Sequence, residues 1–179
     1  MHPFPPLADL GRRIMINGPS NAGKSTLADA IARKLDIPVV HLDRFSHEEY
    51  GNWVPRSDEA FKALHDAAIA DDAWAMDGNY SRLMPQRYAR ATGIIVIDDH
   101  LLRRYLRYFN RSLFQKGRVG GLENGRDSVK WEMVRWIWKT RRQGKYEDIG
   151  RKTGLPMAVC RDQAELQQLY AAWQLEARF

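Results

Sequence analysis

The sequence predicts an α/β protein: a parallel five-stranded sheet with helices on both faces. Three observations lead there. Short apolar runs recur along the chain, helix-period stretches lie between them, and a glycine-rich loop joins the first run to the first helix. Strands that alternate with helices build parallel sheets covered on both sides. Such sheets carry their ligands beyond the carboxyl ends of the strands.

Four runs are expected as buried strands: "RIMIN" (13–17), "PVVHL" (38–42), "AWAMD" (73–77) and "GIIVID" (93–98). A fifth, "LPMAVC" (155–160), tolerates Pro156 only at its start, because proline donates nothing to a ladder. A helix over 24–35 places Leu27, Ile31 and Leu35 on one face. A second, over 58–70, groups Phe61, Leu64 and Ala68 after Ser57 as N-cap, with Asp58 and Glu59 in its first turn. A third, over 162–177, repeats the pattern with Leu166, Leu169 and Trp173. Residues 1–12, with three prolines and no apolar core of signal-peptide type, are expected to be a short leader on one domain spanning 1–179.

Composition narrows the function. No apolar run approaches the eighteen or so residues of a membrane span, and 44% hydrophobic residues suit a globular protein. Cys160 is the only cysteine, so no internal disulfide forms. That points to a reducing, cytoplasmic setting, with the thiol as a small buried hydrophobe. The net charge of +6 is unevenly spread: residues 101–152 hold 15 Lys/Arg against 5 Asp/Glu, and the remainder holds 13 against 17. A basic block on a slightly acidic body implies an anionic partner at one place. The same block breaks the strand–helix rhythm. Two basic helical stretches flank "QKGRVGGLENGRDS", so 101–150 is expected to be a lid-like insertion before the fifth strand.

"GPSNAGKST", from Gly18 to Thr26, follows the first strand and opens the first helix. It fits G-x-x-x-x-G-K-[ST] in the strand–loop–helix setting that the motif requires. Gly18 and Gly23 let the backbone turn tightly through Pro19, Ser20, Asn21 and Ala22, so that the successive N–H groups of the loop can face phosphate. The helix N-terminus adds about half a positive charge. Lys24 is expected on the β- and γ-phosphates, Ser25 on Mg²⁺ and Thr26 near the α-phosphate. The ligand is therefore expected to be a nucleoside triphosphate, ATP in the first instance. The second strand leads into Asp43 and the third ends in Asp77, which brings both carboxylates to the top of the sheet. Asp77 is expected to join Ser25 at the metal, and Gly78 to let backbone approach a ligand. Asp98 and Asp99 are expected to cap the helix after the fourth strand.

With "HLD", "DGNYSR" and the basic insertion, the chain resembles the adenylate-kinase-related P-loop kinases, most nearly the FlaR-like proteins labelled "DNA topology modulation". The resemblance runs over about residues 13–145. It implies a nucleoside monophosphate kinase-like sheet with a helical lid. Asp77 and Gly78 match the start of the Asp-Gly-Phe-Pro-Arg motif of those kinases, where the aspartate reaches Mg²⁺ through water. Asn79, Tyr80 and Ser81 depart from it, and Arg82 comes one place late, so recognition of an ordinary AMP is not implied. Arg107 and Arg111 match arginines four apart on the helix that leads into the lid, with Arg103 one turn earlier. Asp43 matches in position the aspartate with which shikimate kinase and its relatives orient a hydroxyl acceptor.

The acceptor is thus expected to meet Asp43, Arg44, Gly78, Asn79, Tyr80 and Arg82. It is either a nucleotide phosphate, with Arg56 and Arg87 also in reach, or a metabolite hydroxyl whose proton Asp43 accepts. Arg107, Arg111 and Arg135 are expected to close over the transferred phosphoryl group, with Arg118, Arg126, Arg141 and Arg142 as further lid candidates. Trp131, Val134 and Trp138 form a stripe expected to pack the returning lid helix onto Leu102, Leu106 and Phe109 of the outgoing one. The alternative is an ATP-dependent DNA-binding protein, although no helix-turn-helix or zinc module is visible. Stable membrane association is not expected, and a monomer or homodimer is.

Overall fold

A computed structural model describes residues 4–47, 54–98 and 144–176, together with positions 101, 105, 106, 131, 134, 135 and 138. The regular elements are β1 (Arg13–Asn17), α1 (Lys24–Leu35), β2 (Val39–His41), α2 (Leu42–Phe45), α3 (Asp58–Ala70), β3 (Trp74–Asp77), α4 (Met84–Arg90), β4 (Gly93–Ile97), α5 (Lys145–Arg151), β5 (Met157–Cys160) and α6 (Gln163–Ala172). The strands form one sheet in the order β2-β3-β1-β4-β5, and every pairing is parallel. The five expected strands are present, each within two residues of its expected bounds.

Alternation along the strands explains why the sheet is covered twice. Ile14 and Ile16 of β1 and Ile95 and Ile97 of β4 enter one core with Leu27 and Ile31 of α1 and Leu166, Leu169 and Trp173. Met15 points the other way, into a second core with Trp74 and Met76 of β3, Ile69 of α3 and Met84 of α4. A buried Leu or Ile contributes roughly 1.5–3 kcal/mol, so the paired stripes hold both helix layers to the sheet.

The helix ends follow from local chemistry. The Ser57 hydroxyl accepts the Ala60 N–H at 3.2 Å, and the Asp162 carboxylate accepts the Glu165 N–H at 2.9 Å. Arg90 donates to the last carbonyls of α3, Ile69 at 3.1 Å and Ala70 at 2.9 Å. Arg12 does the same at the end of α1, to Leu35 and Asp36.

Several expectations change. The buried face of α3 carries His65 and Ile69, and Leu64 stands 37% exposed. The helix is therefore rotated from the apolar triad, with only Phe61 and Ala68 packed against the core. Residues 1–12 were expected to be a leader, yet Phe4 and Leu10 are buried, and the Trp173 indole N–H donates to the Pro5 carbonyl at 3.0 Å. Residues 145–150, within the expected insertion, begin a helix on the sheet: Gly150 sits where a Cβ would meet Met157 Sδ at 2.6 Å. Asp98 is structural as expected, but it accepts the N–H of Gly144, the N-cap of α5. Asp99 lies outside the described residues. Cys160 is buried, which pushes its thiol up to about 12 and leaves it inert.

Candidate active site

The loop from Gly18 to Gly23 lies at the carboxyl end of β1, the central strand. Its shape depends on glycine at two points. Gly18 has φ +150°, and a Cβ there would stand 2.1 Å from the Ile97 carbonyl of β4. Gly23 has φ +96° and is the N-cap of α1. Asn21, also at positive φ, completes the turn. Pro19 and Ala22 are buried against the sheet end, and Ser20, Asn21, Gly23, Lys24, Ser25 and Thr26 are half-exposed around the mouth. The Lys24 ammonium donates to the Pro19 carbonyl at 2.9 Å, which arches it across its own loop. The backbone thus makes the concave cradle that the motif requires.

Beside the cradle, the structure brings Ser25 and Asp77 together: the hydroxyl donates to Asp77 Oδ2 at 2.6 Å. The other carboxylate oxygen, Oδ1, faces His41 Nδ1 at 2.6 Å, and His41 Nε2 faces Asp29 Oδ1 at 3.2 Å. Strand register explains the first His41 contact, because His41 and Asp77 are partners across β2 and β3. Helix period explains the second: Asp29 stands one turn after Ser25 on α1. Burial alone would push the His41 imidazole down, but its hydrogen bond to Asp77 and the charges of Asp77 and Asp29 overcome this and raise it. Burial likewise opposes ionisation of Asp77, and His41, Ser25 and Lys24 outweigh it, so its carboxyl lies below the ordinary range. A neutral hydroxyl beside a carboxylate that stays ionised makes an all-oxygen pair that suits a hard cation such as Mg²⁺.

The acceptor side is built from side chains. The Tyr80 hydroxyl donates to Asp43 Oδ1 at 2.8 Å and shares a 2.6 Å hydrogen bond with Ser46. Its ring packs on Phe61 with centroids 4.9 Å apart. Burial and the charge of Asp43 push the Tyr80 phenol upward, which keeps it a donor. Tyr80 has φ +28°, an unfavourable conformation that Arg87 holds in place. The guanidinium of Arg87, wholly buried, donates to the carbonyls of Gly78 at 2.6 Å, Asn79 and Tyr80 at 3.1 Å. Burial lowers its pKa to about 10. Asn79 ties this loop to the cradle: its amide donates to the Gly18 carbonyl at 2.8 Å and to the Tyr146 hydroxyl at 2.7 Å, and its oxygen accepts the Gly18 N–H at 3.3 Å.

The structure places five further expected site residues as follows. Gly78 has φ +116°, and a Cβ on it would stand 2.8 Å from Leu42 Cβ, so the fold itself calls for glycine here. Arg82 points outward, in an exposed ion pair with Asp58 at 2.6 Å. Arg44 is exposed on α2. Arg87, a candidate for an anionic acceptor, is consumed by backbone carbonyls. Arg56 donates to the His47 carbonyl at 3.1 Å.

The lid expectations fall mostly outside the described residues. Arg103, Arg107, Arg111, Arg118, Arg126, Arg141 and Arg142 are all there, as are Leu102 and Phe109. Arg135 is described as an exposed helical residue. Trp131 is 77% exposed, Trp138 55% and Leu106 68%, so these three do not form the expected helix-to-helix seam. The Tyr105 hydroxyl donates to the Val134 carbonyl at 3.0 Å.

Sequence reasoning missed His41, Asp29, Tyr146 and the Asn17–Tyr88 hydrogen bond of 3.1 Å below the loop. Only His41 left a trace, as a polar residue at the end of a buried run, next to Leu42 and Asp43. No helix among the described residues is long and apolar enough to cross a membrane.

No family model and no curated protein matches the chain. Solved structures do. Shikimate kinase from Bacteroides thetaiotaomicron superposes with a TM-score of 0.51 at 18% identity, over 90% of this chain and 93% of that one. A sugar kinase from a Janibacter species gives 0.51 at 13%, over 90% and 91%. The chain therefore has the parallel five-stranded fold of these small-molecule P-loop kinases.

Proposed function

We propose that the protein is an ATP-dependent phosphotransferase whose acceptor is a small molecule bearing a hydroxyl group. The observation that carries this reading is the pair of carboxylates at the strand ends: Asp77 bonded to Ser25 of the cradle, and Asp43 held by Tyr80 on the other side of the same mouth. The kinase fold agrees with it. A phosphate acceptor is disfavoured among the described residues, because Arg82 and Arg87 are engaged elsewhere. A carboxylate beside the acceptor repels phosphate and attracts a hydroxyl proton.

In this reading the main-chain N–H groups of residues 20–25 and the Lys24 ammonium bind the triphosphate. Ser25 and Asp77 would hold Mg²⁺, which neutralises phosphate charge when bound. Asp43 orients the acceptor hydroxyl. As the acceptor oxygen bonds to the γ-phosphorus, the bond to the ADP oxygen breaks and the hydroxyl proton passes to Asp43. Arg107 and Arg111, on the strength of the resemblance, and Arg135, as a basic residue of the expected returning lid helix, are assigned the charge that builds on the transferred group.

The test is a panel of nucleosides, sugars and other hydroxylated metabolites with ATP and Mg²⁺, reading ADP release, with Lys24→Ala as the blank. On the accepted substrate, Asp43→Asn is expected to lower turnover about 10²–10⁴-fold while ATP affinity stays unchanged. An unaltered rate removes Asp43 from its role. The FlaR-like resemblance supplies a second reading, ATP-dependent DNA binding, which the exposure of Trp131 and Trp138 on a basic segment favours. ATP-dependent binding to duplex DNA at physiological salt, with no turnover on the panel, would select it.

A further inference from the structure

We propose that His41, anchored by Asp29, is a positioning residue that presents Asp77 to the metal. This rests on the reading of Ser25 and Asp77 as the metal pair. Four side chains form a closed path through three elements: Ser25 and Asp29 on α1, Asp77 on β3 and His41 on β2. The two oxygens of Asp77 have separate partners. Oδ1 is held by the imidazole at 2.6 Å, which fixes the rotation of the carboxylate and turns Oδ2 toward Ser25.

The imidazole is fixed in turn. It is only 6% exposed, and each ring nitrogen meets a carboxylate oxygen. Ionised carboxylates accept and never donate, so the ring satisfies both contacts only by donating from both nitrogens. Asp29 lies further toward solvent, at 24% side-chain exposure, and ties the ring back to the helix that carries Ser25. Groups that orient a metal-binding carboxylate change metal affinity without touching the metal, typically by 10–100-fold.

Mn²⁺ serves as the probe, with its affinity for the protein–ADP complex read by electron paramagnetic resonance. ADP affinity is read separately in chelator by calorimetry. His41→Leu is expected to weaken Mn²⁺ binding about 10–100-fold and to leave metal-free ADP affinity unchanged. His41→Asn keeps a donor where Nδ1 lies and should restore most of the loss. Asp29→Ala should fall between them. If His41→Leu does not fold, the ordering of the other two decides. Mn²⁺ affinity equal to wild type in Asp29→Ala and His41→Leu overturns the proposal, and so does equal loss of Mn²⁺ and metal-free ADP. Wild-type protein that binds ADP and no Mn²⁺ instead removes the metal reading of Ser25 and Asp77 on which the proposal stands.

Discussion

The two sides of the candidate site are held by different kinds of structure. On the phosphate side the chain itself is the binding surface: Gly18 lies against the Ile97 carbonyl and Gly23 opens α1 at positive φ, so shape is set by backbone and by the absence of Cβ atoms. On the acceptor side the backbone of residues 78–80 is held from behind by one guanidinium, and the groups at the mouth, Asp43, Tyr80 and Ser46, are side chains bonded to one another. Triphosphate is the same in every kinase of this architecture, so a backbone cradle loses nothing by being rigid. The acceptor differs between kinases, and side chains can change without rebuilding the sheet.

That contrast breaks most visibly at Gly18. Gly18→Ala places a methyl 2.1 Å from a strand carbonyl that cannot move without parting β1 from β4. The expected cost exceeds about 3 kcal/mol, from overpacking together with a backbone conformation that alanine rarely adopts. Roughly 1 kcal/mol corresponds to 2–4 °C in a chain of this length, so thermal unfolding should drop by about 6–12 °C. Calorimetry should also find no ATP binding. A stable Gly18→Ala protein that binds ATP would mean the cradle is not set by this contact.

Arg87→Met sharpens the contrast from the other side. It removes hydrogen bonds to the carbonyls of Gly78, Asn79 and Tyr80 and fills the space with apolar atoms. Bonds from a charged donor are worth about 1.5–3 kcal/mol each when a partner is lost, part of which the apolar replacement offsets, so a net loss of about 2 kcal/mol is expected. Without the guanidinium, Tyr80 relaxes from φ +28° and releases Asp43. The Michaelis constant for the acceptor should rise while that for ATP holds steady. Equal changes in both would show that the two sides are not separately supported.

How much of this was readable in sequence follows the same division. The phosphate side is encoded locally, in nine consecutive residues after a strand; the strand spans follow from short apolar runs and α1 from a helical period. The acceptor side is encoded in contacts between distant residues. Arg87 looks like a surface cation in "MPQRYAR", and nothing local says that it is buried beneath a turn eight residues away. The same holds for His41, whose carboxylate partners stand 12 and 36 residues from it. Helix α4, with a proline in its first turn and a mixed composition, carries no apolar period and was not foreseen. The tryptophans misled because a stripe at helical spacing says that a face is apolar, not how much of it is shielded from solvent.

The smallest expected effect is a pH dependence confined to the acceptor half. His65 of α3 is wholly buried, its Nδ1 lies 3.0 Å from Asp66 Oδ1, and its Nε2 has no partner. Burial lowers its pKa below 6.5; the hydrogen bond to Asp66 opposes this, and the charge of Arg87 adds to it. The folded protein therefore resists a proton that the unfolded chain accepts. The stability linked to His65 is complete above pH 6.5 and is lost as pH falls through the folded-state pKa. On the phosphate side His41, raised above 6.5, keeps its proton as the pH falls, and Asp77 lies below the ordinary 3.8, so neither group loses stability there. The midpoint of thermal unfolding should decline as the pH falls below 6.5, and His65→Leu should flatten that decline. Hydrogen exchange gives the location: acidification should expose amides of α3 and residues 78–80 before those of β1 and the loop after it. A decline that survives in His65→Leu, or that opens the cradle first, would assign the acid sensitivity to another group and remove His65 from the contrast between the two sides.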